Sequence, residues 1–151
     1  MAPTKVTDAL LTDHRLINKV LEGFQVENPR FGPIAKTLHR AVKAHAWFED
    51  EIFLPALEAE PFIFKRFTSE IYQEHQDIDH LLTQIRKTPL ARLDEVESLA
   101  KQLRVLLSTH FHKEEDALFP IAEKVLSDEG LLELGREMKR RQTEVRSIID
   151  L

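Results

Sequence analysis

The sequence predicts an all-α protein, an antiparallel up-down-up-down four-helix bundle with an additional C-terminal helix. The chain of 151 residues has four Gly and seven Pro, and its long stretches of Leu, Glu, Lys, Arg and Ala favour helix. Apolar residues recur at intervals of three and four, which is the period of a helix. Short breaks that contain Pro or Gly separate these stretches, and four helices with short connections form an antiparallel bundle.

The same patterns give the expected boundaries. We predict a single domain over residues 1–151, with the bundle at about residues 7–126 and the last helix at about 129–149. The first helix is expected from about Thr7 to Gln25, and the second begins near the turn at residues 31–33. Their predicted inward stripes are Val6, Leu10, His14, Ile17, Leu21 and Phe24, then Leu38, Val42, His45, Glu49, Ile52 and Ala56.

The remaining helices show similar stripes. The third is Ile71, His75, Ile78, Leu82 and Ile85, and the fourth is Leu99, Leu103, Leu106, His110, Glu114, Ala117 and Ile121. The last helix has Leu131, Leu134, Met138, Val145 and Ile148 on one side, and we expect it to pack on the bundle or on a second subunit. In every bundle helix, a polar residue therefore occupies a position where the pattern requires a core residue.

An internal repeat carries most of these polar residues. Residues 45–55 and 110–120 each contain a His, a Glu four residues later, an acidic pair, an apolar cluster, and a Pro ten residues after the His. Positions i and i+4 lie on one face of a helix, so each copy directs an imidazole and a carboxylate to the same place, as in a metal site. A shorter repeat precedes each copy, at residues 13–21 and 74–82. We interpret Pro55 and Pro120 as kinks or breaks late in their helices.

The four stripe histidines lie at similar distances from the turns between helices. The points halfway between consecutive histidines fall beside Pro29, beside Pro61 and close to Pro89. Each histidine is thus about 15 to 17 residues, roughly 22–26 Å, from a turn. Residues equally far from a turn share one height in an antiparallel bundle, which predicts a single layer formed by His14, His45, His75 and His110.

Burying four imidazoles and two carboxylates together costs several kcal/mol unless the groups are paired or bind a cation. The chain has no Cys, so any metal must use nitrogen and oxygen ligands. A purely structural network of His and Glu is the alternative. The six candidate metal ligands are His14, His45, Glu49, His75, His110 and Glu114.

Charge and hydropathy disfavour two classes of partner. The net charge is −5, and the longest basic run is residues 139–141, so we expect neither nucleic acid nor a membrane surface as a partner. No signal-like segment or apolar run of about 20 residues is evident, which predicts a cytoplasmic protein.

The order His, HisxxxGlu, His, HisxxxGlu over residues 14–120, with Phe-Leu-Pro closing the first copy and Leu-Phe-Pro the second, resembles the hemerythrin-like, or HHE cation-binding, family. The resemblance implies a non-haem diiron centre. His14 and His45 would ligate one iron, His75 and His110 the other, and Glu49, Glu114 and an oxo or hydroxo group would bridge them. Imidazole and carboxylate ligands are compatible with Fe, Zn or Mn.

Two weaker candidates come from comparison with the oxygen-carrying branch of this family. Those carriers have a further His four residues after the third-helix His, where this chain has Asp79, and we expect Asp79 to be an extra ligand or a partner of one. They place the fourth-helix carboxylate five residues after its His, at Glu115, whereas Glu114 has the spacing of Glu49. More carboxylate favours ferric iron, which predicts ready oxidation and poor release of dioxygen.

The other histidines, His39, His80 and His112, are expected to be exposed, because their spacing turns them away from the stripes. Tyr72, one turn before His75, is expected in the core or as a hydrogen-bond donor to the site.

Three functions remain open from the sequence. The favoured one is a protein that binds or senses dioxygen, nitric oxide or peroxide, or that handles iron. The second is a diiron enzyme with peroxide-consuming, catalase-like or ferroxidase-type activity. The third is a metal-free helical interaction module. The sequence does not indicate an oligomeric state.

Overall fold

The computed structural model describes residues 3–63 and 65–149, so the two residues at each end of the predicted domain lie outside it. The described residues form helices and connections without β-strand. None of these helices is both long and apolar enough to cross a membrane. The α-helices are α1 (Val6–Glu22), α2 (Phe31–Phe48), α3 (Leu54–Glu58), α4 (Lys65–Lys87), α5 (Leu93–Lys113), α6 (Phe119–Val125), α7 (Asp128–Arg140) and α8 (Gln142–Ile148).

The predicted fold class is confirmed. Helix α1 packs on α2, α2 on α4, and α4 on α5, in the order expected for an antiparallel bundle. Side chains join α5 back to α1, because the Arg104 guanidinium donates to the carbonyl oxygens of Leu21 and Phe24. The apolar stripes form two buried clusters, one around Leu21 and Leu103 and the other around Leu10 and Phe53.

Two π-helical segments interrupt the long helices at the same place in each repeat. The first (Glu49–Phe53) joins α2 to α3, and the second (Glu114–Leu118) joins α5 to α6. In each, an amide N–H donates to the carbonyl oxygen five residues earlier: Leu54 to Glu49, and Phe119 to Glu114. The expected kinks or breaks at the prolines are therefore corrected, because each Pro lies in the first turn of an α-helix that continues directly from a π-segment.

The π-segments also correct the predicted stripes. A π-turn contains one residue more than an α-turn, so the inward face after it moves forward by one position. Ala56 is only half-buried, and Leu57 is fully buried instead. Ile121 is exposed, and Leu118 and Ala122 occupy the core.

The C-terminal segment is two helices rather than the one predicted. Ser127 caps α7 by accepting a hydrogen bond from the Gly130 amide, and α7 packs on α1. The chain turns at Arg141, after which α8 packs on α2. This break is the reason that Ile149 is buried and Ile148 is exposed.

Gly135 on α7 lies against the N-terminal segment. A Cβ atom at this position would approach the Thr4 carbonyl oxygen to 1.8 Å, so Gly135→Ala must push α7 away from α1. We expect the substitution to lower the free energy of unfolding by about 2 kcal/mol and the Tm by about 4–8 °C. Gly32→Ala is the matched control, because nothing lies within 4 Å of its added Cβ. Thermal unfolding of the two variants checks the prediction, and equal Tm values would contradict it.

Candidate metal centre

All six predicted ligands lie in one layer between the two apolar clusters. Their side chains are buried, and none is more than 7% exposed. They form two overlapping groups. Within each group, the potential ligand atoms lie within 4.8 Å of one another. The groups are His14, His45, Glu49 and Glu114, and Glu49, His75, His110 and Glu114.

The local structure explains this placement. His14 and His75 lie in the middle of long helices, and His45 and His110 lie in the last turn before a π-segment. Each glutamate is the first residue of a π-segment, so the wide turn begins at the carboxylate that the two groups share. A π-turn of this kind is common at functional sites.

The imidazole Nε2 atoms point into the layer. His14 Nε2 lies 2.9 Å from Glu114 Oε1, and His75 Nε2 lies 2.9 Å from Glu49 Oε1. The Nε2 atoms of His14 and His45 are 3.1 Å apart. At this separation only one of the two nitrogens can carry the hydrogen between them.

Three buried polar atoms of this layer form no hydrogen bond: Glu49 Oε2, Glu114 Oε2 and His110 Nε2. They have only longer ion-pair contacts, 3.4 Å from Glu49 Oε2 to His45 Nε2 and 3.5 Å from Glu114 Oε2 to His110 Nε2. Atoms of this kind are rare in folded proteins because an unpaired buried polar group costs roughly 1–3 kcal/mol. All three are electron-pair donors that a cation satisfies. The donor set therefore fits one or more metal ions.

A carboxylate outside the layer accepts a hydrogen bond from the Nδ1 atom of each histidine. We call these four the outer carboxylates. The Nδ1–oxygen distances are 3.0 Å for His45 with Asp13, 2.6 Å for His75 with Asp50, 2.7 Å for His110 with Glu74 and 2.8 Å for His14 with Glu115. This arrangement keeps hydrogen on Nδ1, so that the Nε2 lone pair is available to a metal.

Of the outer carboxylates, the sequence singled out only Glu115, and as an alternative metal ligand, although the repeat contains a signal for all four. Asp13 and Glu74 each precede the first histidine of a repeat, and Asp50 and Glu115 each follow the shared glutamate. Each repeat thus supplies an acidic residue on either side, and the structure relates the two halves by an approximate two-fold symmetry in their contacts.

The structure distinguishes the weaker candidates from the stronger ones. Glu114 is fully buried in the layer, whereas Glu115 is partly exposed and contacts only the outer side of His14. The expectation that Asp79 faces the layer is wrong. Asp79 instead accepts a hydrogen bond of 2.7 Å from His39 Nε2.

That contact also corrects the prediction for His39. This side chain is 4% exposed, and Arg86 donates to its Nδ1 atom over 3.1 Å. His80 and His112 are exposed as predicted. Tyr72 donates to Glu58 Oε1 over 2.8 Å, so its hydroxyl is not directed to the layer.

Aromatic rings seal one side of the layer. The Phe111 ring stacks on His14 with centroids 3.9 Å apart, and the Phe119 ring lies 5.5 Å from the same imidazole. Both phenylalanines are buried. They exclude water from the Nε2 atoms, which strengthens electrostatic interactions within the layer.

Electrostatic coupling gives the layer a defined charge pattern. Burial opposes the charged form of His45, but the Glu49 carboxylate and the hydrogen bond to Asp13 outweigh it, so its pKa lies well above the ordinary value. Burial likewise opposes ionisation of Glu49, and the charge of His45 outweighs it, so the Glu49 pKa lies well below its usual range. These two groups form a buried ion pair.

The pKa of the other shared glutamate is shifted in the opposite direction. Burial and the charge of Glu49 raise the pKa of Glu114 well above its usual value, which favours the protonated form of this side chain. Burial and the nearby His45 charge lower the pKa of His14 to about 4.

In the second pair of histidines, too, one imidazole has a raised pKa and the other a lowered pKa. Burial opposes the charged form of His75, but its hydrogen bonds to Asp50 and Glu49 raise its pKa to about 10. Burial lowers the pKa of His110, although its hydrogen bond to Glu74 acts against this. His75 is thus charged and His110 neutral at pH 7.

A small cleft leads toward the layer from the surface between α2, α4 and α8. Its volume is about 220 Å³, and its lining includes Trp47, Asp50, His75 and Ile149. The cleft reaches the outer side of the His75 ring, and it is large enough only for small molecules.

Comparison with known proteins agrees with this architecture. A solved structure described as a hemerythrin HHE cation binding domain-containing protein, the Rv2633c homolog from Mycobacterium kansasii, superposes with a TM-score of 0.81. The match covers 95% of this chain and 88% of that chain at 22% sequence identity, which shows a shared fold. The fold and the buried His/Glu layer define a helical-bundle, cation-binding class of protein.

The family model for the hemerythrin HHE cation binding domain matches residues 5–122 and again residues 66–151. The chain therefore belongs to the hemerythrin HHE cation-binding family. A second match that begins at α4 is consistent with the internal repeat. A DNA nickase from Nostoc sp. is 29% identical over 147 residues, which is 93% of this chain and 40% of the nickase. The chain thus spans about two fifths of the length of that relative.

Proposed function

We propose that the layer holds two iron ions as a non-haem diiron centre. His14 and His45 would hold one ion, His75 and His110 the other, and Glu49 and Glu114 would bridge them together with an oxo or hydroxo group. The observation that carries this proposal is the set of three buried atoms that form no hydrogen bond, two of which belong to the shared glutamates. Folded proteins pair most buried polar atoms, so three atoms without a hydrogen bond in one layer favour a site that a cation completes.

The donor set supports iron over a softer metal. It contains imidazole nitrogens and carboxylate oxygens, and the chain has no thiolate. The outer carboxylates add negative charge around the layer, which favours a trivalent ion. Such a centre supplies one-electron chemistry toward dioxygen, nitric oxide and peroxide when iron is bound.

We infer that the protein binds or senses one of these small molecules, or handles iron itself. Burial of the layer and the small volume of the cleft exclude large organic substrates from the Nε2 atoms. Phe111 and Phe119 keep water from the His14 side. The outer carboxylates hold each imidazole in the orientation that a metal requires.

A peroxide-consuming or ferroxidase-type enzyme is the second candidate. Each ion would have two imidazoles and two shared carboxylates as protein ligands, which leaves coordination positions open for a reacting molecule. Repeated turnover distinguishes this function from binding alone.

We also propose that this chain has no nucleic-acid partner, in contrast to what the name of the Nostoc relative indicates for that protein. The net charge is −5. Three arginines in α7 and in the turn that follows it form ion pairs with glutamates. Arg136 pairs with Glu133, Arg140 with Glu137, and Arg141 with Glu144. These pairings reduce the positive charge that this segment offers to phosphate groups.

The test begins with protein loaded anaerobically with ferrous iron. Limited dioxygen, nitric oxide or peroxide is then added while the near-ultraviolet and visible absorbance is followed. A binding protein is expected to give a stoichiometric change, and an enzyme to consume peroxide over many turnovers. Metal-free protein with the same additions is the control. The absence of any spectral change with all three ligands would contradict the proposed function.

A further inference from the structure

One of the four outer carboxylates differs from the rest in its own partners. Within residues 3–63 and 65–149, only Glu74 forms an ion pair with a lysine or arginine, because Lys113 Nζ lies 2.9 Å from Glu74 Oε2. The other oxygen of Glu74 accepts from His110 Nδ1 over 2.7 Å. Lys113 also binds Glu70 Oε2 over 3.0 Å and lies over the Phe67 ring.

The internal repeat provides a comparison within the same chain. Lys113 follows His110 by three residues, and the equivalent position after His45 is Phe48. Glu70 precedes His75 by five residues, and the equivalent position before His14 is Ala9. The first half of the centre therefore carries apolar side chains where the second half carries an ion pair.

The outer carboxylate of the first half has different surroundings. Asp13 lines a cavity of about 700 Å³ between α1 and α7, together with Arg136 and Lys139. Neither cation forms an ion pair with Asp13, and Arg136 is engaged with Glu129 and Glu133. Asp13 is thus free to give its full acceptor strength to His45.

The ammonium group changes what Glu74 does for His110. A carboxylate that already accepts from an ammonium is a weaker acceptor for the Nδ1 hydrogen, so the Nε2 lone pair of His110 donates less strongly to a metal. Glu70 also binds Lys113, but Lys113 Nζ contacts the same carboxylate that accepts from His110 Nδ1. Its positive charge also repels a cation at this position.

We propose that Lys113 makes the metal position formed by His75 and His110 the weaker of the two. The position formed by His14 and His45 then fills first, and the two ions bind in distinct steps. This inference rests on the proposed two-ion centre.

Lys113→Gln tests the inference, because Gln retains a hydrogen-bond donor to Glu74 and lacks the charge. Metal-free protein is titrated with Co²⁺ under anaerobic conditions at constant pH, and the two steps are resolved by calorimetry and visible absorbance. We expect wild-type dissociation constants separated by more than the roughly fourfold ratio of two equal sites. In the variant, the second dissociation constant is expected to fall about three- to tenfold, which is tighter binding. The first dissociation constant is expected to stay within about twofold of its wild-type value.

Lys101→Gln is the matched control. It removes the same charge from the same helix, from an exposed side chain twelve residues, about 18 Å, before Lys113. Neither dissociation constant is expected to change. Circular dichroism of each metal-free variant confirms that the bundle is intact.

Combining Lys113→Gln with a second substitution shows which of the two metal positions it affects. His14→Gln leaves the position of His75 and His110 as the better one, so its remaining binding step must respond to Lys113→Gln. His75→Gln damages that position, so its remaining step must not respond.

Each outcome decides the inference. A second constant that is unchanged or higher in Lys113→Gln overturns it, as do equal sites in the wild-type protein. In both cases the two-ion centre itself stands, because two ions still bind. Fewer than two ions in the wild-type protein would overturn the proposed centre, and this inference with it.

Discussion

Glu114→Gln is expected to weaken the binding of both metal ions severely while leaving the metal-free fold intact. Glu114 belongs to both ligand groups, so its loss is expected to lower the affinity for each ion by about 100- to 1000-fold. Its pKa in the metal-free protein is raised well above the usual value, chiefly by burial and then by Glu49, which favours the neutral acid. Gln has nearly the same shape and the same charge as that protonated acid.

Thermal unfolding with and without metal measures both consequences. Wild-type protein is expected to gain about 5–10 °C in Tm on loading, and the variant almost nothing. Without metal the two proteins should unfold within about 2 °C of each other. A variant that retains the metal-induced shift would show that Glu114 is not a ligand.

Glu115→Gln is the matched control for this experiment. It changes the neighbouring residue in the same way, and Glu115 contacts only His14 Nδ1. Loss of one outer carboxylate is expected to weaken metal binding by about 10- to 100-fold without abolishing it. The comparison therefore decides between the two glutamates that the sequence left in competition.

Metal binding is expected to release protons at pH 7, at least the one on His75, and to strengthen as pH rises. The protons come from three ligands whose pKa values are raised in the metal-free layer: His45, His75 and Glu114. A raised pKa keeps each group protonated to higher pH, and a metal can bind only after that proton leaves. The overall affinity for two ions should therefore rise with pH near neutrality, by about tenfold per pH unit for each proton released.

The other two histidines do not contribute to the pH dependence of metal binding near neutral pH. Burial lowers the pKa of both His14 and His110, to about 4 for His14, so they do not compete for metal through protonation near neutral pH. The slope should decrease as pH approaches the His75 value of about 10. Calorimetry with Zn²⁺ at pH 6–8, in buffers of different ionisation enthalpy, measures the number of protons directly. A value near zero would contradict the proposed charge pattern.

Hydrophobic periodicity was sufficient to predict the bundle and the positions of its polar residues. The stripe containing His14 is buried throughout, because its apolar and polar members share one helical face. Similar distances from the turns also predicted the layer, since antiparallel helices of similar length bring His14, His45, His75 and His110 together. Periodicity cannot state which ion fills such a layer.

The remaining errors have physical causes. A search for a constant period of 3.6 does not detect the extra residue of a π-turn, so Ala56 and Ile121 were placed on the wrong face. Asp79 and His39 were assigned from their spacing alone. Their mutual hydrogen bond depends on how α2 packs against α4, and single-helix patterns contain no information about that contact.

The iron content per chain tests the central claim most directly. Metal-free protein is loaded anaerobically with ferrous iron, excess iron is removed, and the iron and protein are measured by elemental analysis. The account predicts two irons per chain in the wild-type protein and almost none in Glu114→Gln. One iron per chain in the wild type would contradict a centre with two positions. None, in a chain that remains helical, would contradict metal binding and favour a helical interaction module.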